Sequence, residues 1–175
     1  MTPKQTERLK KKITDIKRAL AAEKRKLGCY DDSRGRRYMP LRYFIKLSDY
    51  AGGLAYLKWF QKNFPDDGGF PEFLFEWTII LFKTGKIKEA EKKAFQTFCR
   101  NPYWFDKFFG KPIKPIDMWH GSNIAAPEYA EALAYSNEQA DPADFCEWLE
   151  KTISTDEFVD QRAKHIEIYR RLKSN

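Results

Sequence analysis

Residues 71–102 read PEFLFEWTIILFKTGKIKEAEKKAFQTFCRNP, and this stretch decides the fold. From Pro71 to Thr84 the chain is almost entirely apolar, with Phe73, Leu74, Phe75, Trp77, Ile79, Ile80, Leu81 and Phe82. A helix of this kind is buried on most of its sides. Pro71 suits its first turn, and Gly85 breaks it. A second helix follows over about 87–100. It carries Ala90, Ala94, Phe95 and Phe98 among charged residues, a one-sided pattern, and Asn101-Pro102 closes the unit.

Working outward, the same punctuation recurs upstream. Helices are expected over about 39–47, with Pro40 near the start, and about 50–63, ending before Pro65. The segment Phe64-Pro65-Asp66-Asp67-Gly68-Gly69 is a strong turn. Pro65 and Pro102 are 37 positions apart, and a small residue, Gly53 or Ala90, lies twelve positions before each. Small residues at a helix crossing let two backbones approach closely, so this spacing has a packing reason.

On these residues the chain resembles the tetratricopeptide repeat family. The unit at 71–104 carries Trp77 and Leu81 on its first helix, Gly85 at the turn, Ala90 and Ala94 on the second helix and Pro102 at the end. Asp49-Tyr50-Ala51-Gly52-Gly53-Leu54 through Asn63-Phe64-Pro65-Asp66-Asp67 is similar to the second helix and closing turn of an earlier unit at about 34–67. The match spans roughly 34–104. Thr78 departs from the family pattern, as do Arg42 and Tyr43 and the extra Gly68-Gly69-Phe70 between units. Residues 127–153 have the length of a third unit but lack its landmarks. The resemblance implies antiparallel helix pairs whose first helices line a concave groove. Tyr38, Arg42 and Lys46, four residues apart on one helix face, would then point at a ligand. Arg36 and Arg37 belong to the same basic group. Guanidinium groups bind carboxylates bidentately, so an acidic peptide or a C-terminus is the natural guest. Pairing of these cations with Asp31, Asp32 or Asp49 is the competing reading.

The flanks extend an all-α pattern: no run alternates with period two between turn signals. Residues 3–27 form one expected helix, stopped by Gly28. Its apolar seam, Leu9, Ile13, Ile16, Leu20 and Leu27, is narrow, and Glu23 interrupts it. So thin a seam calls for docking on the rest of the chain or pairing with a second copy. A loop over 28–36 separates this arm from the body at 29–175. After Pro102 come a short helix and an extended aromatic strap, a helix over 127–139, a helix beginning at Asp141-Pro142-Ala143-Asp144, and a last helix to about Leu172. Ser154-Thr155-Asp156-Glu157 gives that last helix the spacing of a capping box.

Charge is distributed unevenly along the 175 residues. The net charge is +7, and residues 1–28 alone carry ten Lys/Arg against three acids. Residues beyond 63 are net acidic. Such an arm suits an acidic protein surface or nucleic acid. No aromatic residue interleaves with its lysines, so base stacking has no support. An aromatic content of 16% excludes a disordered chain. No apolar run approaches the roughly 18 residues of a membrane span, and the N-terminus has no apolar core of a secretory signal. Cys29, Cys99 and Cys146 are scattered and odd in number, which points to a reducing cytoplasm and away from disulfides. Two histidines and three cysteines offer no metal spacing, and no cofactor motif occurs. His120, with Ser122 and Cys99, is the one candidate for nucleophilic chemistry. It has no orienting acid and no G-x-S-x-G elbow, and is expected as a strap residue holding a hydrogen bond. His165 is expected to face solvent. The sequence therefore points to a protein-interaction module that binds a peptide or an acidic partner, rather than an enzyme. A nucleic-acid-associated protein using its basic N-terminal helix is the alternative.

Overall fold

A computed structural model describes residues 1–30, 32–137 and 143–174, and within them the chain is all-α, with no strand. The helices are α1 (Pro3–Leu27), α2 (Met39–Lys46), α3 (Tyr50–Asn63), α4 (Pro71–Lys83), α5 (Ile87–Arg100), α6 (Trp104–Phe108), α7 (Pro127–Glu131), α8 (Ala143–Ile153) and α9 (Asp156–Lys173). Two short 3-10 turns, Arg36–Tyr38 and Asn123–Ala125, complete the order.

α4 is the shared wall of two cores, which explains its nearly continuous apolar sequence. Phe73, Leu74, Trp77, Ile80 and Leu81 face one core with Ile13, Leu41, Phe44, Tyr56, Phe60 and Ala90. Phe75 and Ile79 face the other, with Ala94, Phe98, Phe105, Phe108, Phe145 and Phe158. The chain turns from α4 into α5 at Gly85, whose φ of 72° is a left-handed value that favours glycine. α2 packs on α3 and α4, and α4 packs along α5. Gly53 sits where α3 crosses its neighbours: an added Cβ would lie 2.5 Å from Ile80 Cδ1 and 3.4 Å from Phe44 Cβ. Ala90 is fully buried in the same core as Trp77 and Leu81.

α1 docks on its own chain, against α2. Leu20 is fully buried and Ile13 nearly so, with Leu9 and Ile16 packed beside the core. Glu23, the interruption in the seam, forms an ion pair with Arg36 and so ties the second half of α1 to the start of the body. Thr2 and Gln5 close the N-terminus of α1 with a capping box.

Three expectations about the second half are corrected. The helix expected over 127–139 stops at Glu131, and the chain runs on without helix to Asn137, where its backbone N–H donates to Phe108 O at 2.9 Å. Leu133 enters the second core and Tyr135 is held by Glu76, so burial of these two side chains overrides local helix propensity. The cap of α9 is Thr155, which accepts from Phe158 N–H at 3.3 Å, so the Ser154–Glu157 box does not form. His165 is half-buried rather than solvent-facing. Its ring lies against Phe98 and Tyr169, and burial lowers its pKa below the ordinary histidine range. The helix start read at Asp141-Pro142 lies outside the described residues.

The strap from Phe109 to Ala126 is pinned at several points. Tyr103 Oη accepts from Ile116 N–H at 3.0 Å. Asn101, fully buried, donates through Nδ2 to Ile124 O and Ala126 O at 2.9 and 3.0 Å. Trp119 N–H donates to Tyr169 O at 3.0 Å, which fastens the strap to α9.

Candidate functional site

The basic residues singled out from the sequence start at the loop before α2. Asp32, buried, accepts from the backbone N–H of Arg36 at 2.9 Å and of Arg37 at 2.7 Å, and so holds the 3-10 turn that leads into α2. Arg36 pairs with Glu23. Arg37 reaches Asp32 at 3.2 Å and Asp67 at 2.6 Å. Tyr38 donates its hydroxyl to the same Asp67 at 2.7 Å. Burial alone would raise the Asp67 carboxyl, but the Tyr38 and Arg37 hydrogen bonds hold it below the usual carboxylate range. The Tyr38 phenol is pushed up to about 12, by burial first and by Asp67 second. Asp31 lies outside the described residues.

Arg42 lies one turn further along α2 and bridges to α4. Its Nε donates to Glu76 Oε1 at 3.2 Å, and its Nη2 pairs with Glu72. Glu76 is the one charged residue inside an apolar face of α4 and is 2% exposed. Tyr135, from the non-helical stretch after α7, donates its hydroxyl to the same carboxylate. Burial pushes the Glu76 carboxyl up to about 7, against the pull of Tyr135 and Arg42. Sequence reading found Arg42 but missed Glu76, Glu72 and Tyr135. The available signal was Glu76 itself, a charge in the middle of the apolar run from Phe73 to Phe82, which needs a partner when buried.

Tyr38, Arg42 and Lys46 line neighbouring clefts in pairs. Tyr38 and Arg42 line a cleft of about 300 Å³ with Glu72, Phe73, Glu76 and Tyr129. Arg42 and Lys46 line another of about 340 Å³ with Tyr50, Phe75, Tyr135 and Phe145. The two clefts meet at Arg42, where Tyr135 comes down on Glu76.

Lys46 differs from its neighbours. It is exposed, and no carboxylate among the described residues lies within ion-pair reach of it. It closes a shallow concavity of about 660 Å³ made with Met1 and the first half of α1: Gln5, Arg8, Leu9, Lys11, Lys12 and Asp15. Lys11 pairs with Asp15 at 2.7 Å, and Lys12 Nζ sits 5.5 Å from the Tyr43 ring centroid. Met1 is 66% exposed. The surface is thus cationic, with an apolar spot at Met1 and Leu9.

His120 Nε2 lies 2.8 Å from Tyr103 Oη, Ser122 is exposed, and Cys99 is half-buried with its thiol pushed up by burial to about 11. Among the described residues no three His, Cys, Asp or Glu side chains stand close enough to hold a metal ion, and no helix is long and apolar enough to cross a membrane. The chain matches no family model, no curated relative and no solved structure.

Proposed function

We propose that the protein is an interaction module of tetratricopeptide-like build, with α2–α3 and α4–α5 as two antiparallel pairs, and that it binds an acidic segment of a protein partner on the surface shared by α1 and Lys46. The short turn at Gly85 and the close approaches at Gly53 and Ala90 support the paired arrangement. The observation that carries the binding reading is the contrast in charge pairing. Arg36, Arg37 and Arg42 have internal carboxylates, whereas Lys46, Arg8 and Lys12 line an open concavity whose one carboxylate, Asp15, pairs with Lys11. A peptide with one or two carboxylates and an apolar side chain matches that chemistry: the carboxylates meet the cations, and the side chain covers Met1 and Leu9. Free Cys29, Cys99 and Cys146 suit a reducing compartment such as the cytoplasm.

The experiment is fluorescence anisotropy of a labelled Asp/Glu-rich peptide carrying one Leu, competed by an unlabelled DNA or RNA duplex of equal charge. The expected result is saturable binding that weakens with salt and resists the duplex. A duplex that binds more tightly, with an affinity falling by several powers of salt concentration, would establish the nucleic-acid alternative in its place.

A further inference from the structure

A second site lies away from α1, between the end of α3, the turn after it, α4, α5 and α9. There the structure forms an open cleft of about 570 Å³, a volume within the usual range for small-molecule sites. Phe60, Phe64, Leu74 and Trp77 give it an apolar wall. Two cations enter from α5. Lys93 Nζ lies 3.8 Å from the Trp77 ring centroid and donates to Gln96 Oε1 at 2.6 Å, which leaves the Gln96 amide N–H groups free to donate. The Arg100 guanidinium lies against Gly68, and a side chain there would make it swing away. The absence of a side chain at Gly68 thus leaves the room that Arg100 occupies. The lining carboxylate, Asp67, is already engaged by Arg37 and Tyr38.

We propose that this cleft binds a small organic anion, a phosphate or carboxylate head group on a compact apolar body. The head group would sit between Lys93 and Arg100, with the Gln96 amide as a third donor, and the body would lie on Phe60, Phe64 and Leu74. Phosphate and carboxylate both accept the fork of a guanidinium and the point charge of an ammonium. Burial without a counter-charge lowers the Lys93 pKa to about 8. The other titratable groups around the cleft are Asp67 from the turn, Cys99 and Arg100 from α5, and Tyr169 from α9. A bound anion supplies the charge that Lys93 lacks and moves its pKa back up.

The test is an NMR titration of the full-length ¹⁵N-labelled chain with phenyl phosphate, benzoate and inorganic phosphate at constant ionic strength. The expected result is a saturable shift of the Trp77 indole N–H and the Gln96 side-chain amide with at least one phenyl anion. The tighter of the two identifies the head group, and inorganic phosphate binds at least tenfold more weakly than phenyl phosphate. Lys93→Met and Arg100→Gln each weaken binding at least tenfold, and Lys88→Met, on the exposed side of α5, leaves it unchanged. Should Lys93→Met fail to fold, Arg100→Gln carries the test alone, because its guanidinium lies outside the apolar cores. No saturable shift with either phenyl anion, or binding unchanged in Arg100→Gln, overturns the proposal.

Discussion

Arg42 and Lys46 stand one turn apart on α2, yet their surroundings are opposite. Arg42 points across to α4, where Glu72 and Glu76 neutralise it and Tyr135 completes the cluster. Lys46, at the exposed end of the same helix, faces the cationic half of α1 and has no such partner among the described residues. The first region is a buried polar network that fixes how α2, α4 and the stretch after α7 fit together. The second is a docked helix whose inner face is apolar and whose outer face is free to meet another charge. A basic residue in the sequence is therefore a binding candidate only after its internal carboxylates have been accounted for, because a paired guanidinium has little left to offer a partner.

The comparison breaks most visibly if α1 is not held by its inner face. Leu20→Ala should cost about 3 kcal/mol, within the range for truncating a fully buried leucine side chain. The neighbouring Arg18→Ala, on the exposed face, should stay within about 0.5 kcal/mol. Urea unfolding of the two variants measures both. Equal, small effects would mean that α1 is a loosely attached arm.

A smaller effect is expected at the buried network. Arg42→Met leaves Glu76 without its cation. Breaking a fully buried pair costs about 3–5 kcal/mol. The Arg42 side chain is 37% exposed, so screening reduces the expected loss to about 2 kcal/mol at pH 8. At pH 5 Glu76 takes a proton and the loss shrinks. Thermal unfolding at the two pH values checks this.

A further effect is a change of slope with pH. The Glu76 pKa lies near 7 in the folded chain against 4.5 for the free side chain, so the folded state holds the proton more tightly. The stability that Glu76 contributes is complete below pH 4.5 and is lost as pH rises through 7. His165, whose pKa is lowered, works in the opposite direction below 6.5. Asp67 and Asp144, also lowered, make stability fall only at more acid pH. Those contributions are common to wild type and Glu76→Gln. The melting temperature of Glu76→Gln should therefore rise relative to wild type between pH 4.5 and 7. A constant difference across that window would show that Glu76 does not titrate as a buried group.

Much of the helical frame was legible from punctuation. Gly28, Pro65, Gly85 and Asn101-Pro102 stop α1, α3, α4 and α5 where local chemistry requires. The stretch after α7 was not, because Ala132, Leu133 and Ala134 favour helix while Leu133 and Tyr135 are drawn to tertiary partners. The site was legible only in part. The four-residue spacing brings Arg42 into one cleft with Tyr38 and another with Lys46, but the groups that engage Arg42 and Tyr38 come from distant sequence. Glu76 lies 34 residues after Arg42 and 59 before Tyr135, and Asp67 lies 29 after Tyr38. No local pattern encodes those meetings. The Lys46 concavity likewise depends on α1 folding back across α2.

In the proposed function, binding strength resides in the unpaired cations of α1 and α2. The most direct test is the affinity of the acidic peptide for Arg8→Glu/Lys12→Glu/Lys46→Glu beside Lys88→Glu/Lys92→Glu, at one salt concentration and with both proteins shown to be folded. Lys88 and Lys92 are exposed on α5, far from α1 in sequence. The expected result is at least a tenfold loss for the first variant and less than a threefold change for the second. Equal losses in the two variants would contradict it, because they would show that overall charge rather than this surface attracts the peptide.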